Sequence, residues 1–116
     1  MRASLRHIHS PDVDDLRSWA PDGDFGVLLQ LMVGPDGSEG EESFDVTLCT
    51  AAWLGEQAIR EGIFDCRHHF VVSEYDYDAV ERFFKGKVAA CEAATWPAVA
   101  ARVARLGRWE FEDYQA

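Results

Sequence analysis

The sequence predicts an α+β fold, and three features carry that expectation. Segments that alternate apolar and polar residues with a period of two lie near both ends and in the middle of the chain. Between them lie stretches with apolar residues at helical spacing, bounded by residues that cap or stop helices. Read in order, these give β-β-β-α-β-α-α-β, an antiparallel or mixed sheet with helices packed mainly on one face.

Residues 3–9 form the first predicted strand, closed by Ser10-Pro11-Asp12. Residues 12–24 are polar and turn-rich, with Leu16 and Trp19 as anchors. Phe25 to Val33 is the strongest strand. Phe25, Val27, Leu29, Leu31 and Val33 share one face, and Leu28 and Met32 make the other largely apolar, as in a central strand partly covered on both sides. A loop of turn formers from Gly34 to Gly40 leads to Glu42–Cys49, where Phe44, Val46 and Leu48 alternate with Asp45 and Thr47. Two such runs joined by a glycine-rich loop make an antiparallel hairpin.

Thr50 is the expected N-cap of a helix that turns Trp53, Leu54, Ala58 and Ile59 inward and stops at Gly62. Phe64 to Val72 reads as another strand. A second helix, from about Asp76 to Cys91, carries Val80, Phe83, Phe84, Val88 and Cys91 at helical spacing. Asp76 and Asp78 near its start suit the positive end of the helix dipole. Thr95 caps a third helix with Pro97 in its first turn, ending at Gly107. Arg108 to Tyr114 returns to period two, with Trp109 and Phe111 inward and Arg108, Glu110 and Glu112 outward.

The 116 residues fit one domain, 1–116. A chain of this length buries ~65% of its unfolded surface, enough to dispense with a metal or disulfide staple. No apolar run approaches the ~20 residues that cross a membrane. The N-terminus, Met1-Arg2-Ala3-Ser4-Leu5-Arg6-His7, has charge without an apolar stretch behind it, so no signal peptide is expected. Cys49, Cys66 and Cys91 are an odd, widely spaced set with apolar neighbours, which reads as buried free thiols in a reducing cytosol. The expected location is cytoplasmic.

Charge narrows the partners. The net charge is −10, and residues 1–49 hold three basic and ten acidic side chains, a balance of −7. Such a field repels phosphate backbones and anionic membranes, so neither is an expected partner. It attracts a basic protein and speeds encounter with it. Acidity that only keeps the chain soluble is the plainer alternative.

No catalytic motif emerges. His7 and His9 share a strand face, as do Cys66 and His68, yet no zinc-type spacing is present. The sequence lacks G-x-S-x-G, a Walker-type loop and G-x-G-x-x-G after a strand. Gly34, Gly37 and Gly40 are evenly spaced, but Asp36, Glu39, Glu41 and Glu42 would repel a phosphate there. The acid-rich loop also lacks the order of an EF-hand. No cofactor and no metal site are expected. A metal-binding or enzymatic module built on Cys66, His68 and His69 stays open as an alternative, as does a homo-oligomer joined through a two-sided apolar strand or an edge strand.

What remains is acid interleaved with aromatics. Asp12, Asp14 and Asp15 stand beside Leu16 and Trp19; Asp36, Glu39, Glu41 and Glu42 fill the central loop. Tyr75, Asp76, Tyr77 and Asp78 follow Glu74, and Glu110, Glu112 and Asp113 interleave with Trp109, Phe111 and Tyr114. Interfaces favour tyrosine and tryptophan as rigid anchors, with surrounding charge setting orientation and on-rate. These are the candidate partner-binding residues.

Several segments resemble the immunity protein 8 family of bacterial polymorphic toxin systems. They are His9-Ser10-Pro11-Asp12, Gly40-Glu41-Glu42-Ser43-Phe44-Asp45-Val46 running on to Cys49-Thr50 and Trp53-Leu54, Arg67-His68-His69 with Tyr75-Asp76-Tyr77, and Gly107-Arg108-Trp109-Glu110-Phe111-Glu112-Asp113-Tyr114. They fall in order across nearly the whole chain, and the last is the most distinctive. Ala51-Ala52 departs from the pattern, which has a proline there; the change bears on helix initiation. The resemblance implies an α+β antidote that binds a cognate toxin and protects its producer, with no catalysis of its own. A basic nuclease is one target that would suit the acidic surface.

Overall fold

A computed structural model describes residues 1–112. Five strands form one mixed sheet: β1 (Ala3–His9), β2 (Gly26–Pro35), β3 (Glu42–Cys49), β4 (His69–Val71) and β5 (Arg108–Trp109). The predicted hairpin is present, with β2 and β3 antiparallel from Gly26 opposite Cys49 to Val33 opposite Glu42. β1 flanks β2, also antiparallel. The far edge of β3 is shared: β4 runs parallel beside Thr47–Cys49, and β5 runs antiparallel beside Phe44 and Asp45.

The alternation in β2 and β3 builds the core. Val27, Leu29, Leu31, Val33, Phe44, Val46 and Leu48 are buried on one face. Against them pack Val80, Phe84 and Val88 of α2 (Tyr77–Ala89) and Val99, Ala100 and Val103 of α3 (Trp96–Val103). Both helices begin as their sequences require. Asp76 accepts from the N–H groups of Asp78 and Ala79, and Thr95 accepts from Ala98, so side chains satisfy donors that the first turn leaves unpaired. α3 ends at Val103 with Ala104 as C-cap; a turn bonded back to Val103 then carries the chain to Gly107, where the helix was expected to stop.

α1 (Ala51–Glu61) behaves differently. Its boundaries match the sequence, Gly62 closing it at φ +80°. None of its residues is buried, however, and Ile59 is 86% exposed. Ala58 and Ile59 therefore do not point inward as expected. Trp53 is the anchor: a Cβ on Gly26 would lie 2.1 Å from its indole, so the missing side chain is what lets the ring seat there. Gly26 alternates with buried Val27, so Trp53 lies across the sheet from α2 and α3. Thr50 does not cap α1 with its side chain; its hydroxyl binds Phe25 instead, accepting from N–H at 3.2 Å.

Other departures have local causes. The strand expected over residues 64–72 shrinks to three residues because His68 adopts φ +63°, which extended pairing cannot accommodate. Cys66, just before it, is exposed rather than buried, whereas Cys49 and Cys91 are buried; all three thiols are free. Burial pushes the Cys49 and Cys91 thiols above their ordinary range. β5 is two residues long, and residues 110–112 form a turn, with the Glu110 N–H still donating to the Ser43 carbonyl. Trp109 is half-buried and stacks on Phe44, but Phe111 is 41% exposed rather than inward. Phe83, also expected inward, stays 44% exposed while its ring packs edge-to-face with Phe70 and Phe84. The expected strand positions Asp113 and Tyr114 lie outside the described residues.

Candidate binding face

The second face of the sheet, opposite α2 and α3, is mixed: Leu28 and Met32 stand among polar side chains. Leu28, Gln30 and Met32 of β2 and Ser43, Asp45 and Thr47 of β3 are half-buried, while Val27, Leu29, Leu31, Val33, Phe44, Val46 and Leu48, which alternate with them, are buried. β1 contributes His7 and His9 to this face through a bulge. Leu5 pairs with Val33 and His7 with Met32, so Arg6 is the extra residue that reverses the alternation. Without it, His7 and His9 would fall on the core side with Ala3 and Leu5. Trp53 covers one end of this face, where His69 lies 24° from coplanar with its ring and Phe64 meets it edge-on.

The structure gathers the four acidic segments into two patches. Tyr75 donates its hydroxyl to the Leu16 carbonyl, and Arg17 pairs with Asp78 (3.6 Å) and Glu81 (3.5 Å). Arg17 also lies 4.6 Å from the centroid of the Tyr77 ring, whose hydroxyl donates to Glu81. Asp12–Asp15 and Tyr75–Asp78 thereby become one patch, with Asp14, Asp15 and Tyr77 lining a shallow cleft of about 210 Å³. On the other side, Glu42 accepts from the indoles of Trp96 (3.1 Å) and Trp109 (3.0 Å). Glu110 accepts from the Ser43 N–H at 2.7 Å. These bonds join Asp36, Glu39, Glu41 and Glu42 to Glu110 and Glu112. Asp113 completes that segment in sequence but lies outside the described residues.

The candidate side chains divide by duty. Glu42, Glu110, Asp76 and Asp15 hold backbone or indole donors within the fold; Asp15 accepts from the Arg17 N–H, and hydrogen bonding from Ser18 and Arg17 lowers its pKa. Asp12 accepts from the Leu28 N–H at 3.4 Å. Tyr75 is pushed up to about 12 by burial, and Tyr77 is raised by burial and by its bond to Glu81. Asp36 with Arg2 (3.3 Å), Glu41 with His7 (3.2 Å) and Glu112 with Arg67 (3.4 Å) form exposed pairs. Such pairs are worth only ~0–1 kcal/mol, so a partner's cations can replace them at little cost. Asp14 and Glu39 are exposed.

The histidine and cysteine sets do not converge. β1 and β4 lie on opposite sides of the β2–β3 pair, which separates His7 and His9 from Cys66 and His68. Among the described residues no group of three potential ligands could hold a metal ion. Nor does a hydrogen bond there join the Cys66 thiol to either adjacent imidazole; His68 Nδ1 meets the Leu106 carbonyl and His69 Nδ1 that of Arg67. Among the described residues, no helix is long and apolar enough to cross a membrane.

Sequence reading missed Asp45 and His68 as a pair on this face. Asp45 was legible only as the outward position of an alternating strand, and the positive φ of His68, which lines the same cleft, is not encoded by any local period. No curated protein and no solved structure matches the chain significantly. The family model for immunity protein 8 does match, over residues 3–114. That match takes in all five strands, all three helices and both acidic patches, so the chain belongs to the immunity protein 8 family.

Proposed function

We propose that the protein is a stoichiometric antidote that binds a basic toxin domain through the sheet face opposite α2 and α3 and the two acidic patches flanking it. It acts without catalysis, in the cytoplasm of the producing cell, where free thiols persist. The observation that carries this reading is charge segregation. Residues 79–107, covering nearly all of α2 and the whole of α3, hold five basic and two acidic side chains, a balance of +3. The rest of the chain holds six basic and nineteen acidic, a balance of −13. A basic partner is drawn to the acidic remainder. A nuclease suits this charge, since its substrate-binding surface must be cationic to hold phosphates.

Co-expression with the toxin domain encoded beside this gene tests the reading. Wild type is expected to restore growth and to co-purify as a one-to-one complex. Paired reversals Asp14→Lys with Asp78→Lys, and Glu39→Lys with Glu41→Lys, are expected to lose protection while retaining cooperative unfolding. Full protection by a protein reversed at both patches would refute the electrostatic mechanism.

A further inference from the structure

We propose that the seam between β4 and β5 is a socket for one basic side chain of the toxin, an arginine or a lysine; this rests on the immunity reading above. The seam exists because β4 and β5 share the edge of β3 without meeting. Thr47 pairs with His69 and Asp45 with Arg108, which leaves a cleft of about 280 Å³ between them. Asp45, Thr47, His68 and Leu28 contribute to its walls.

Three observations meet at this point. Among the described residues, Asp45 Oδ1 and His68 Nε2 are the buried side-chain polar atoms with no hydrogen-bond partner, and both residues line this cleft. Native proteins leave few such atoms unsatisfied, and each calls for a reason. His68 is also the one non-glycine residue described with positive φ, a conformation that costs free energy and gathers at functional sites.

The chemistry of the missing partner follows from hydrogen-bond polarity. The Leu106 carbonyl can only accept, so His68 Nδ1 carries the proton and, in the neutral ring, Nε2 presents a lone pair. Asp45 Oδ1 is a carboxylate acceptor. Two acceptors require a donor, and a guanidinium or ammonium supplies several N–H groups at once. The cleft's own guanidinium groups do not fill that role. Arg67 pairs with Glu112 at 3.4 Å and does not bond Asp45 Oδ1, and Arg108 stands opposite Asp45 in the ladder without bonding it either. Both atoms are buried, so the socket requires Asp45 and His68 to turn toward the cleft as the cation enters.

Calorimetric titration of the neighbouring toxin domain into wild type, Asp45→Asn and His68→Asn tests the socket. Asparagine tolerates positive φ, so the second variant keeps the backbone conformation. Each variant is expected to bind about tenfold or more weakly, as for loss of a hydrogen bond to a charged group, while melting near the wild-type temperature. If wild type binds and both variants bind equally well, the socket is wrong and the immunity reading stands. If wild type does not bind this toxin, methylguanidinium at millimolar concentration decides the matter by ¹⁵N NMR. A shift of the His68 Nε2 resonance that Asp45→Asn abolishes supports the socket; an unmoved resonance overturns it.

Discussion

The two faces of the sheet come from the same strands and do opposite work. On one, Leu29, Leu31, Val33, Phe44 and Val46 are buried beneath α2 and α3. On the other, Gln30, Met32, Ser43 and Asp45 alternate with them and stay half-exposed. The first face holds the fold together through apolar burial. The second carries polar groups that a folded monomer does not need for its core. On the proposed reading, the difference separates stability from recognition within single strands, at adjacent positions.

The widest gap between the faces is expected for core truncation. Phe84 is buried among Phe70, Phe83 and the sheet, so Phe84→Ala should destabilise by about 3–5 kcal/mol in chemical denaturation. A loss comparable to that of an exposed position would mean that the helices do not cover the sheet as described. A smaller effect comes from Tyr75, which ties the segment after β1 to the segment before α2. Its pKa is pushed from 10.0 up to about 12 in the fold, so the folded state holds its proton more tightly than the unfolded chain does. Its contribution is complete below the unfolded value and is lost as pH rises through the folded one, so stability should decline between pH 10 and about 12. Tyr75→Phe should flatten that decline, read by denaturation at stepped pH. The least effect belongs to α1. Ile59→Ser should change stability by no more than ~0.5 kcal/mol, since the side chain is 86% exposed. A larger loss would show that α1 is packed after all.

The same contrast explains what the sequence disclosed. Glu42–Cys49 was legible to the residue, because a strand with one buried and one polar face alternates without ambiguity. The helices were placed by caps and spacing: Thr95 caps α3 as expected, while Asp76, read only as an acid suited to the dipole, is the N-cap of α2, and Thr50 makes no side-chain cap. The inward face of α1 was misread at Ala58 and Ile59 because its amphipathic pattern does not say whether a surface exists to receive it; Trp53 reaches the sheet over a glycine. The strand around Phe64 failed at His68, where tertiary contacts impose a backbone that its own sequence does not announce. The acids were visible as four segments. Their union into two patches depends on bonds between residues as far apart as 67 positions, Ser43 to Glu110 for example, and no local period reports those.

The segregation of charge gives the molecule a direction as well as a sign. With residues 79–107 at +3 and the remainder at −13, an approaching cationic surface exerts a torque that turns the acidic remainder toward it before any atoms touch. Salt screens that torque over about 10 Å at 0.1 M, well beyond contact distance. Raising ionic strength should therefore slow capture of a basic partner much more than it hastens release, leaving a complex that forms reluctantly in brine yet, once formed, persists.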